Sequence, residues 1–131
     1  MAQARARQPT SNTQPFERVL TIGGAIPGVE SGIKYDGSPV LRLRGSFVAG
    51  LATHPSAEPD TLVVRYAIED RESLLQDAAE TYYITDYYEP YPVVLARLSR
   101  LDGEALRDLL SISSALAAAK ARPAARGPAR D

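Results

Sequence analysis

Residues 61–68, TLVVRYAI, decide the fold class. Leu62, Val64 and Tyr66 alternate with Val63 and Arg65, the two-residue period of a strand that turns one face to a core. The ten residues before it, LATHPSAEPD (51–60), contain two prolines and no period, so they read as a loop. Upstream of that loop, VLRLRGSFVAGL (40–51) alternates again. Leu41 and Leu43 interleave with Arg42 and Arg44, and Gly45-Ser46 divides this run from Phe47, Val48 and Leu51. That pattern predicts a β-hairpin, with a short strand around Lys34 and Tyr35 before it.

Helical signals flank these strands. Phe16, Val19, Leu20 and Ile26 stand near helical spacing between Pro15 and the stop Pro27-Gly28, which predicts a helix from Pro15 to about Ala25. Downstream, Asp70 is placed to cap a short helix through Leu74 and Leu75. TYYIT (81–85) and VVLARL (93–98) read as strands on either side of the turn-rich DYYEPYP. Asp102 caps a long helix bearing Leu106, Leu109, Leu110, Ile112 and Leu116, and Leu101 with Leu106 forms a hydrophobic staple across its start. This order predicts an α+β fold, a twisted antiparallel β-sheet with helices packed on one face.

The domain expected is a single one over 15–120. The ends, 1–14 and 121–131, are expected to be disordered tails, because the Arg/Ala/Pro-rich C-terminal stretch and MAQARARQPTSNTQ offer too little apolar surface to offset ordering. The 131 residues include no Cys and one His, which excludes thiol catalysis, disulfide frameworks and zinc fingers. No apolar h-region is present in 1–14 and no run approaches the ~18 apolar residues of a membrane span. The expectation is a cytoplasmic protein, a monomer or weak dimer, with no membrane partner. Each tail carries a net +2, whereas 15–120 holds ten basic and fifteen acidic residues. An acidic body attracts polyphosphate only through a local patch or through its tails.

Three stretches in order, IPGVESGIKYDGSPVLRLRGSFVAGL (26–51), TLVVRYAIEDRESLLQ (61–76) and TYYITDYYEPYPVVLARLSRLDGEALRDLLSISSAL (81–116), resemble the MmcQ/YjbR family. The most specific pieces are Pro27-Gly28-Val29-Glu30, Lys34-Tyr35, Arg44-Gly45-Ser46-Phe47 and the aromatic turn Thr85–Pro92 leading to a strand and Asp102. The resemblance covers about Pro15 to Leu116 and implies a double-wing α+β fold with a DNA-binding role. Ser46 stands where the family often has a basic residue, Tyr87 where it often has His, and Val93 where it often has Trp.

Two constellations are candidates for binding. Arg42, Arg44, Arg65 and Arg97 occupy outward positions of predicted strands, with Lys34 nearby; neighbouring strands would align them as a phosphate-contacting stripe on an uncovered sheet face. The competing reading is that these cations solubilise the face and pair with local acids. Tyr82, Tyr83, Tyr87, Tyr88 and Tyr91 cluster within ten residues. They suit stacking on bases, the lining of a small-molecule or protein-binding site, or half-buried packing at a sheet edge. Residues 67–92 carry seven acids and one Arg, the wrong sign for nucleic acid.

Signals for catalysis are weak. His54 stands alone in its loop, Gly23-Gly24 precedes no phosphate-loop Lys, and Glu69, Asp70 and Glu72 fit the first turn of a helix. Ser111, Ser113 and Ser114 have no base in view. No catalytic residue, no metal ligand and no cofactor is therefore assigned. The function expected is non-enzymatic: DNA binding through the Arg-bearing sheet and hairpin turn, or else small-molecule or protein binding through the tyrosine-rich turn.

Overall fold

The computed structural model describes residues 14–121. The tails expected at 1–14 and 121–131 lie, but for Gln14 and Ala121, outside the described residues. Among these residues three α-helices, α1 (Gln14–Gly24), α2 (Ile68–Asp77) and α3 (Gly103–Ala121), accompany six strands. The strands are β1 (Val29–Ile33), β2 (Pro39–Leu43), β3 (Ser46–Leu51), β4 (Thr61–Arg65), β5 (Tyr82–Tyr83) and β6 (Val93–Arg97). They form one antiparallel sheet in the order β1-β2-β3-β4-β6-β5, so the fold is α+β. No helix among the described residues is long and apolar enough to cross a membrane.

The alternation in TLVVRYAI sorts the sheet into two faces. Leu62 and Val64 pair with Ala96 and Val94, and all four enter the main core beneath the helices together with Leu41, Leu43, Phe16, Val19, Leu106, Leu109 and Leu110. Val63 and Arg65 pair with Leu95 and Val93 on the far side. The hairpin carries an irregularity that matters for that side. Leu41 pairs with Ala49 but Arg42 pairs with Phe47, so Val48 is an extra residue; Val48 and Ala49 both join the main core while Phe47 joins the far side.

Local chemistry moves several elements from their expected places. The first strand is Val29–Ile33, and Lys34 and Tyr35 begin the turn after it. Asp36 Oδ1 closes that turn by accepting from the Ser38 N–H at 2.9 Å and hydroxyl at 2.6 Å. In the β2–β3 hairpin the turn residues are Arg44 and Gly45, with φ of 52° and 84°, as a two-residue hairpin with the twist of its strands requires. Ala67, not Asp70, holds the N-cap of α2, and no side chain bonds there. Asp102 does cap α3: its Oδ1 accepts from the Ala105 N–H at 2.8 Å, and Leu101 and Leu106 are both buried beside it.

Ile112 is 46% exposed and faces away from the sheet. The buried line of α3 runs instead through Leu106, Leu109, Leu110, Ser113, Ser114 and Ala117. Small serines let the helix approach the sheet there, and Ser113 Oγ donates to the Arg65 carbonyl at 2.7 Å. Arg18 joins α1 to the turn before α3, donating to the Leu101 and Leu98 carbonyls at 2.9 Å each.

Candidate functional site

The sheet face opposite the helices is partly roofed. Val63, Val93 and Leu95 form a second apolar cluster with buried Tyr88, and Phe47, Ala52, Ala57, Tyr83 and Ile84 pack against it. Two loops, 52–60 and 84–92, thus cover the β4–β6 half of a face expected to be bare. A Ser56–Thr85 hydroxyl contact of 2.9 Å links the two loops.

This roof divides the sequence-derived candidates into three groups. Arg97 is held within the fold: Nε and Nη2 donate to the two carboxylate oxygens of Glu58 at 2.9 and 2.8 Å, and Nη1 donates to the Ala79 and Glu80 carbonyls. Its guanidinium stands 4.3 Å over the Tyr83 ring. The Tyr83 hydroxyl contacts Thr61 Oγ1 and accepts from the Glu58 N–H at 2.8 Å. Bonding to Arg97 holds the Glu58 carboxyl below the usual range, and bonding to Glu58 raises the guanidinium. Tyr82 pairs with Ala96 and packs on the helix side, where burial pushes its phenol up.

Arg42 and Arg44 form the second group. Arg42 lies on the far side between Glu30 of β1 and Phe47 of β3, and Arg44 is exposed at the hairpin tip. The third group converges. Lys34, Arg65, Tyr87, Tyr88 and Tyr91 line one cleft of about 350 Å³, with Phe47, Val63, Pro92 and Val93 as its apolar floor. A second compartment of about 340 Å³ continues past Lys34, Tyr87 and Tyr88 to Tyr35, Asp36, Thr53, His54 and Pro55.

Each wall of the cleft has a physical support. Arg65 Nε donates to the Phe47 carbonyl at 2.6 Å across the bulge, and burial lowers its pKa because desolvation disfavours the charge. The Tyr87 ring lies flat on His54, with centroids 3.6 Å apart at 12°, and Tyr88 meets Tyr87 edge-on at 4.9 Å. The Tyr88 hydroxyl accepts from the His54 N–H at 3.3 Å, and burial pushes this phenol up. His54 Nδ1 accepts from the Ser56 N–H at 3.1 Å. The turn that carries the tyrosines is strapped from below by Arg71, a side chain on α2 that donates to the carbonyls of Glu89, Tyr91 and Val93 at 3.0 Å each.

Sequence reasoning did not find Phe47, Val63, Pro92 and Val93 of the cleft floor, nor the supporting His54 and Arg71. Phe47 was open to discovery through its strand position beside Arg65. His54 and Arg71 find their partners in the distant 85–93 segment, and no local pattern announces that. Among the described residues no group of His, Asp and Glu is placed to hold a metal ion. A groove of about 430 Å³ between α1 and α3 has, among the described residues, Arg107 as its one charged lining residue and no aromatic ring. Compared with protein-family models, with curated proteins and with solved structures, the chain matches none.

Proposed function

We propose that the domain is a non-enzymatic binding module and that its cleft takes a small ligand made of a flat unsaturated ring and an acidic group. The observation that carries this reading is the convergence of Lys34 and Arg65 with Tyr87, Tyr88 and Tyr91 on one apolar-floored cleft. Its volume of about 350 Å³ falls in the range of roughly 300 to 1,000 Å³ of small-molecule sites. Among the described residues neither cation has an ion-pair partner, the pairs present being Arg71–Glu89 and Arg97–Glu58. A guanidinium in partly desolvated surroundings forms stronger bonds to an anion than one in water, and phenol rings supply the stacking surface.

DNA binding on the same face is the second reading, favoured by one observation: Arg42, Phe47 and Arg65 follow one another along a row of adjacent strands. Kinship with the MmcQ/YjbR family belongs to the same proposal, and the ordered motifs quoted above support it. The negative charge of the body and the engagement of Arg97 favour the small ligand.

Tyrosine fluorescence tests both, because the chain has seven Tyr and no Trp. Titration with salicylate and with adenosine monophosphate should quench it, and Arg65→Gln or Tyr91→Ala should weaken binding about tenfold or more, the loss of one charge-assisted contact or one stacking face. Duplex DNA binding with a log–log salt slope near −2.7, reduced by about 1 in Arg42→Ala, would replace the small-ligand reading with the DNA one. Absence of binding to the two small anions and to duplex DNA at ~50 mM salt, where phosphate contacts are strong, would overturn both.

A further inference from the structure

Among the described residues, β1 pairs with β2 on one side and has no strand on the other. Lys34 N–H donates to the Ser38 carbonyl at 2.8 Å in continuation of that ladder. In an antiparallel ladder bonding residues alternate, so Glu30 and Gly32 also direct their backbone groups to β2, and Ser31 and Ile33 direct theirs away from the sheet. The Val29 N–H is already held by the Ile26 carbonyl at 3.1 Å. Natural edges are commonly blunted by Pro or by a bulge. β1 reads Val-Glu-Ser-Gly-Ile with an unbroken register, and Ile33 is 70% exposed.

We propose that this edge binds a second copy of the chain, β1 against β1, antiparallel about Ser31. In that register Ser31 faces Ser31 of the second copy, Val29 faces Ile33, and Glu30 faces Gly32. The outward groups of both strands then meet: each Ser31 N–H donates to the opposite Ser31 carbonyl, and each Ile33 N–H donates to the opposite Val29 carbonyl. The exposed Ile33 gains Val29 of the second copy as an apolar neighbour.

Charge selects the same register. Gly32 has no side chain, and the Arg42 guanidinium extends over it toward the edge, its Nη1 3.2 Å from where a Cβ of Gly32 would stand. Among the described residues Arg42 has no ion-pair partner. Glu30 of the second copy, facing Gly32, comes within reach of this guanidinium, and the two-fold axis makes the pairing reciprocal. A register centred on Glu30 would set like charges face to face, which opposes pairing. One centred on Gly32 would set Ile33 against Ser31. The surface is independent of the tyrosine cleft, so it stands or falls separately from the ligand reading.

A five-residue edge buries less than a standard interface, so association is expected between about 10 µM and 1 mM. Sedimentation velocity on the full chain over that range should show a monomer–dimer equilibrium that weakens with salt. Glu30→Arg and Arg42→Glu should each weaken dimerisation about tenfold or more, since two attractive pairs become repulsive. Mixing the two variants should restore a heterodimer, because every Arg then faces a Glu. Ser31→Pro, which deletes the outward donor while leaving the ladder to β2 its own, should also abolish the dimer, with circular dichroism confirming the fold. A wild-type chain that stays monomeric at ~1 mM, a dimer indifferent to Ser31→Pro, or folded charge variants that fail to associate when mixed would each overturn the proposal.

Discussion

Arg71 Nη1 donates to the carbonyl of Val93 at 3.0 Å, a buried bond from α2 to the first residue of β6. The same guanidinium holds the Tyr91 and Glu89 carbonyls, and it is only 5% exposed. Replacing it by Met leaves three carbonyls without this donor, so Arg71→Met should lower stability by about 2 to 4 kcal/mol. Lys should not rescue it, because a single ammonium cannot reproduce the guanidinium fork. Urea melts provide the measurement, and a loss under ~0.5 kcal/mol would show that the tyrosine turn holds its shape without the strap.

Leu109 and Ile112 are three residues apart on α3, but they should respond very differently to truncation. Leu109 is in the main core, and Leu109→Ala should cost about 2 to 5 kcal/mol. Ile112 points to solvent, and Ile112→Ala should stay within about 0.5 kcal/mol of the wild type. Equal losses in guanidinium melts would mean that the helix is rotated from the position described.

Glu58 makes stability depend on acid pH. Its carboxyl is held below the ordinary range by the hydrogen bond to Arg97, while in the unfolded chain it returns to the ordinary value of about 4.5. Below that value the unfolded state binds more protons than the folded one, so the contribution is complete above about pH 5 and fades as pH falls through the folded value. Asp36 acts in the same direction through its bonds to Ser38. Thermal melts from pH 6 to pH 3 should therefore fall less steeply for Glu58→Gln than for the wild type; parallel curves would deny the pair this role.

Arg44 occupies the left-handed region at φ 52° at an exposed turn. Asn tolerates that conformation better than a long side chain, so Arg44→Asn should raise stability by about 0.5 to 1 kcal/mol. Binding in the tyrosine cleft should not change, as Arg44 does not line it. A destabilised Arg44→Asn chain in denaturant titration would contradict the assignment of this turn.

The legible parts of the sequence were those in which one local rule decides. The alternation of Leu62 and Val64 with Val63 and Arg65 gave the two faces of β4, and Asp102 announced its helix because a capping side chain acts within three residues. β1 was misplaced because Glu30, Ser31 and Gly32 lack the apolar and β-branched signal of a strand, whereas its position is set by pairing with β2. On α3 the leucines Leu106, Leu109 and Leu110 are buried and Ile112 is not, because Ser113 and Ser114, polar but small, take the next sheet-facing positions, which apolarity alone does not announce. In the site, Lys34, Arg65 and the tyrosines were each visible separately. Their assembly was not, because it depends on loops 52–60 and 84–92 folding over the sheet and on Arg71 bonding main-chain carbonyls that any sequence would present.

β6 follows β5 in the chain but lies between β4 and β5 in the sheet. During synthesis from the N-terminus, the ribosome has therefore released the four-strand meander and Tyr82-Tyr83 well before the strand that must join them. Until Val93–Arg97 emerges, β4 is a bare edge rich in Val and Leu, and β5 has no strand to pair with. The α3 helix that covers the core arrives later still. Nascent chains stalled before residue 93 are consequently the species most exposed to aggregation or degradation, and the domain reaches its native state only as its last third is delivered.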